Sequence, residues 1–327
     1  MDASSGRKIE IFEPFSRALD LTKLILFQPF DLAKWFVIGF AAFLSHLGGN
    51  GGNGLNWNPN LRGGDWNWKV RSATNSVFGS SGEWPAWVLP LIVIGVAALI
   101  ALVIVCLWLG ARGRFIFTDC IVRNRGAIVE PWNEWKREGN SYFLFSLVAG
   151  VIILTLLALA SLPLWLSAAF GGEPLGGASL VLAISFLAVI ALAVLVAYHL
   201  VSSFMIPVMY RRKCGAGEAF GASIAAIMAY PGAVILYVLF SLVLYVAFMI
   251  LGCILMCVTC CIVAIPYLGT VLLLPFHVFF MSYLLLFVRQ FGPDYDPWTN
   301  IVQIEPTAPP PPPETPLTPP EPPPVQL

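Results

Sequence analysis

PAWVLPLIVIGVAALIALVIVCLWL, residues 85–109, runs from Pro85 to Leu109 without one charged side chain. A stretch that long and that apolar crosses a hydrocarbon core of about 30 Å as a single helix. In lipid the helix is the form that satisfies every backbone N–H and C=O from within its own segment. Four further runs read the same way: Ser141 to Phe170, Ala178 to Tyr210, Gly232 to Val263, and Tyr267 to Val288, the last broken by Pro275 and closed by Arg289. A shorter one, Leu32 to Leu47, carries Lys34 near its start, where a long amine can reach the headgroups. The predicted fold class is therefore all-α, a polytopic membrane helical bundle of six transmembrane helices at about 32–47, 85–109, 141–170, 178–210, 232–263 and 267–288.

Composition agrees with lipid as the solvent. Only 11% of the 327 residues are charged and 58% are apolar, with a mean hydropathy of +0.81, whereas about 25% charge is usual in a soluble domain. The 18 basic and 18 acidic residues cancel, so no nucleic-acid signature is present. The first residues mix Arg7, Lys8, Glu10, Glu13, Arg17, Asp20 and Lys23, unlike a cleaved signal peptide, and Met1 reads as the start of the mature protein. No Asn-x-Ser/Thr glycosylation acceptor occurs.

Lysine and arginine positions set the expected orientation. With six spans, fifteen of the 18 fall on one side and three, Arg62, Lys69 and Arg71, on the other. If Leu32 to Leu47 were not a span, the division would be 8 against 10 and the bias would vanish. The expectation is a multi-pass protein of the cell (inner) membrane with both termini cytoplasmic.

Between the runs lie elements of other kinds. Pro14 to Phe27 carries an amphipathic stripe and predicts a helix in the membrane surface. Gly48 to Trp84, rich in glycine, asparagine and tryptophan, predicts a loop. Arg112 and Arg114 are expected to stop the second span, and Phe115 to Asn140 reads as a charged loop with a short polar helix, its acids and bases solvated at the headgroup boundary. Gly215 to Tyr230 predicts another surface or re-entrant helix.

A weak threefold repeat is legible. Glu13-Pro14-Phe15, Glu130-Pro131-Trp132 and Glu218-Ala219-Phe220 each open an amphipathic segment leading into a hairpin of spans. It reads either as a transporter-like repeat with a site between copies or as duplication of a stable hairpin. Residues 1–298 thus form one transmembrane domain. Residues 299–327 form a disordered cytoplasmic tail, with twelve prolines from Pro306 to Leu327; it reads as polyproline II that could dock a cytoplasmic partner, or as a solubilising extension.

Chemistry-bearing residues are few. No Asp or Glu falls inside any expected span, which argues against a proton- or ion-coupled pump. His46, His199 and His277 fall on separate spans and read as hydrogen-bonded interior residues. Cys253, Cys257 and Cys260 share a helical face, with Cys261 beside them and His277 on the next span. No second cysteine pair completes a zinc pattern, so they read as small apolar packing residues. No His-Glu-x-x-His, Gly-x-Ser-x-Gly or P-loop occurs. No catalytic, cofactor-binding or metal-binding residue is assigned, and no cofactor is expected.

Pro14-Phe15-Ser16-Arg17-Ala18, Phe30-Asp31-Leu32-Ala33-Lys34-Trp35-Phe36 and Arg289-Gln290-Phe291-Gly292-Pro293-Asp294-Tyr295 resemble a group of uncharacterised bacterial multi-pass membrane proteins. Over residues 10–298 the layout is also similar to the membrane domain attached to some glycerophosphodiester phosphodiesterases. The resemblance implies a fold and a location. Without the catalytic barrel of those enzymes it implies no phosphodiesterase activity. The functional expectation is a non-enzymatic scaffold or membrane-organising protein held in the bilayer, with a transporter or channel for a neutral or lipid-like solute as the alternative; oligomeric state and ligand are not legible.

Overall fold

A computed structural model describes residues 9–47, 87–169, 177–259 and 265–299, without the side chains of 163–169, 177–180 and 266. The glycine-rich loop after Leu47, the Gly171 to Gly176 turn, Cys260, Cys261 and the proline-rich tail lie outside the described residues.

Among the described residues every regular element is helical. In chain order they are α1 (Phe12–Phe27), α2 (Leu32–Leu47), α3 (Val88–Val122), α4 (Val129–Glu134), α5 (Lys136–Ala169), α6 (Gly177–Arg212), α7 (Ala216–Ala229), α8 (Pro231–Val258), α9 (Pro266–Leu272) and α10 (Leu274–Arg289), followed by a 3-10 turn at Pro293–Tyr295. Four of these, α3, α5, α6 and α8, are long and apolar enough to cross a membrane. Their most apolar windows are almost wholly unburied by protein, which fits lipid as the missing neighbour. The apolar helices fit a membrane protein.

The first and last expected crossings look different. At 1.5 Å per residue the 16 residues of α2 reach about 24 Å, less than a typical core. α2 lies antiparallel to the end of α3: Lys34 Nζ donates to Asn124 Oδ1 at 2.8 Å, and Leu44 and Ser45 meet Gly113. The last crossing is divided at Leu273, just ahead of Pro275, where the ring cannot continue the preceding turn. Ten of the 16 residues of α10 are buried, which makes it the central helix of the packed core.

α3 overturns one expectation. Arg112 and Arg114 do not end the helix, and 115–122 is no loop: the helix continues to Val122, with every residue from Gly110 onward buried. The arginines are accommodated sideways. Arg112 lies over the Trp108 and Trp132 rings at 4.4 and 4.9 Å, and its Nε and Nη2 donate to Asn140 Oδ1. Arg114 donates to the Tyr142 hydroxyl. The helix stops where Asn124 takes a left-handed conformation, φ 50°, which asparagine tolerates better than most residues.

α1 is amphipathic as expected, yet it does more than lie on a surface. Pro14, Ala18, Thr22, Ile25 and Leu26 form its buried stripe, and Phe15 meets Phe279 of α10 edge to face at 5.5 Å. A chain of contacts then gathers several segments at one end of the molecule. The backbone N–H of Glu10 donates to Gln290, Arg211 Nε donates to the Pro293 carbonyl, and Lys213 and Arg123 both pair with Glu134. Glu13, Glu130 and Glu218 each sit in the first turn of a helix, α1, α4 and α7, where a carboxylate complements the helix dipole.

Candidate functional site

All three histidines, expected apart, line one cleft of about 450 Å³ between α2, α3, α6, α8 and α10. The end of α2 contributes Ser45 and His46, and α3 contributes Arg114 and Phe117. α6 supplies His199 and Ser203, α8 supplies Tyr237, Ser241, Tyr245 and Cys253, and α10 supplies His277. The remaining wall is mostly aliphatic and aromatic, with Leu200, Ile206, Phe248 and Met249 among its residues. Among the described residues no carboxylate lines it.

Two of the histidines lie together. The His46 and His277 rings lie 4.3 Å apart. His46 Nδ1 bonds the Ala42 carbonyl, which can only accept, so that nitrogen carries the proton and Nε2 is left for another partner. Arg114 is only 8% exposed. Its guanidinium sits 5.3 Å from the Tyr142 ring centroid and donates to that hydroxyl, and it pairs with no acid among the described residues. Tyr142 is itself held in the core, where its hydroxyl reaches the Ser202 carbonyl.

Close to this cleft, but outside it, lies a second polar centre that the sequence reading treated as solvated charge. Asp119 is 0% exposed. Its Oδ1 accepts from Arg123 Nε at 3.1 Å, Tyr210 Oη at 2.9 Å and Trp135 Nε1 at 3.3 Å; its Oδ2 accepts from Arg125 Nη2 at 3.0 Å and Nε at 3.1 Å. Trp135 stacks on Tyr210 at 4.3 Å, with the Lys213 ammonium 5.1 Å from its ring centroid. Burial disfavours charge on Arg123, yet its bonds to Glu134 and Asp119 outweigh that and hold it more firmly protonated than usual. A carboxylate so fully occupied is a clamp between α3, α4 and α6.

Of the span cysteines, Cys253 and Cys257 are among the described residues. Cys253 and Cys257 are exposed along α8, and among the described residues no three His, Cys, Asp or Glu side chains gather in a way that could hold an ion.

Over residues 9–293 the chain matches a family of unknown function, DUF7544. The chain belongs to that family. The match takes in every helix from α1 to α10, and so the cleft and the Asp119 clamp together. No curated protein and no solved structure matches.

Proposed function

We propose that the protein is an integral membrane protein that takes a lipid-like amphiphile into the cleft between α2, α3, α6, α8 and α10, as a carrier or binding protein and not as a catalyst. One observation carries this reading: the cleft wall is mostly aliphatic and aromatic, with Arg114 and the His46–His277 pair among its few polar groups. Its size falls in the range of small-molecule sites, roughly 300–1,000 Å³.

The chain is proposed to cross the cell membrane six times, with α2 and the α9–α10 pair completing the four long crossings. Both termini lie on the cytoplasmic side, and the hairpins opened by Glu13, Glu130 and Glu218 are copies of one unit. A second reading, that the protein organises cytoplasmic partners, is favoured by the Pro309 to Pro313 run, a preformed extended segment.

Gly252 provides the test. It lines the cleft, and a Cβ added there meets nothing within 4 Å. Gly252→Phe should therefore fill the cleft without disturbing the fold. In neutral-lipid nanodiscs, photo-crosslinking of a diazirine-bearing long-chain amphiphile should label wild-type cleft residues and lose most of that labelling in the variant. Equal labelling of both proteins would remove the cleft reading.

A further inference from the structure

Resting on the proposal that the cleft takes an amphiphile, we infer that its ligand is acidic, with the anionic oxygens of its headgroup seated on Arg114 beside His46 and His277. The inference begins with an unbalanced charge. Arg114 carries five N–H donors in a fixed fork, and one hydrogen bond, to the neutral Tyr142 hydroxyl, is made among the described residues. The other buried arginine of α3, Arg112, is met differently, by two indole faces and Asn140. The cations at the packed end, Arg123, Arg125, Arg212, Lys213 and Arg289, each have a carboxylate within 4 Å. Arg114 alone combines deep burial, a place on the cleft wall and no acid opposite.

A guanidinium held out of water is expensive unless an anion faces it, and its planar fork matches carboxylate or phosphate oxygens. One further group of the cleft suits the same role. His277 brings from α10 a ring N–H that can donate to an oxyanion, while Ser45, Ser203 and His46 Nδ1 donate to the Ala42 and His199 carbonyls and line the polar part of the wall. The aliphatic and aromatic wall supplied by Phe248, Met249 and Met256 then receives the chain. A neutral amphiphile would fill the same wall and leave the guanidinium unmatched.

The experiment compares dodecanoate, dodecan-1-ol and inorganic phosphate as competitors of the crosslinking amphiphile, using the full chain in neutral-lipid nanodiscs at pH 7.5. Dodecanoate should compete at least tenfold better than the alcohol. Arg114→Gln should abolish that preference, and Arg114→Lys, which keeps the charge, should retain most of it, so that a folding defect is separated from a lost charge. Equal competition by acid and alcohol in the wild type would overturn the acidic headgroup while leaving the apolar cleft standing. Competition by phosphate alone as effective as dodecanoate would overturn the amphiphile and leave a free-anion site. Acid preference that persists in Arg114→Gln would overturn the role of Arg114.

Discussion

Asp119 shows how one buried carboxylate can tie four segments together. Its two oxygens receive Arg123, Arg125, Trp135 and Tyr210, so losing its charge takes one carboxylate from each of two guanidiniums and leaves Arg123 with Glu134 and Arg125 with Glu130. Removing one partner of a buried pair costs about 3–5 kcal/mol, and because both arginines remain partly hydrated, Asp119→Asn should cost roughly 2–4 kcal/mol. Tyr210→Phe removes only one donor and should cost about 1 kcal/mol. Thermal unfolding in detergent gives the ranking, and equal midpoints for the two variants would contradict the clamp. Glu134 beside it predicts the effect of acid. Burial opposes its charge, but bonds from Arg123 and Lys213 outweigh that and hold its carboxyl below the ordinary value of 4.5. Its contribution is therefore complete above pH 4.5 and is lost as the pH falls further, through its lowered folded value. Across that window Glu134→Gln should flatten the fall in unfolding midpoint seen in the wild type. Asp119 was hidden in the sequence by its arginine neighbours. Phe115-Ile116-Phe117-Thr118-Asp119-Cys120-Ile121-Val122 is an apolar run holding one acid, and that one acid among buried neighbours was the available signal.

At the scale of elements, helix identity was legible and helix ends were not. Four of the five long apolar runs are the four long helices, because their pattern depends on lipid alone, while the fifth, Tyr267 to Val288, is divided at Leu273. The end of α3 depends on partners far along the chain, since its arginines need Trp132, Asn140 and Tyr142, and no local rule announces them. The cleft was illegible for the same reason: His46, His199 and His277 are separated by more than seventy residues at each step, and only packing brings them together. The α2–α3 contact offers a test of how tightly that packing is set. A Cβ on Gly113 would come within 2.5 Å of the Leu44 carbonyl carbon and the Ser45 nitrogen, both backbone atoms that cannot rotate away. Gly113→Ala must separate the two helices, and overpacking of this kind costs about 1–3 kcal/mol. At Gly217 an added Cβ meets nothing within 4 Å, so Gly217→Ala is the control and should leave the unfolding midpoint nearly unchanged.

For the whole molecule, charge and contact point independently to the proposed sidedness. Counting lysines and arginines places fifteen of 18 on one side when six crossings are assumed. The contacts join Glu10 to Gln290, Lys34 to Asn124, Arg123 and Lys213 to Glu134, and Arg212 to Asp294, so the described segments bearing those basic residues gather at one end. α3 begins at the other end, since its residues before Gly113 extend past the C-terminal tip of α2. α2 alone is too short to reach from one end to the other. Cysteines placed singly at Ser76 and at Gly217, in a background free of the seven native ones, read this out in intact cells. A membrane-impermeant maleimide should label Ser76→Cys and leave Gly217→Cys unlabelled until the membrane is permeabilised. Labelling of both from outside would mean that one of α3, α5 and α6, the long helices between the two positions, does not cross, and would overturn the six-crossing arrangement.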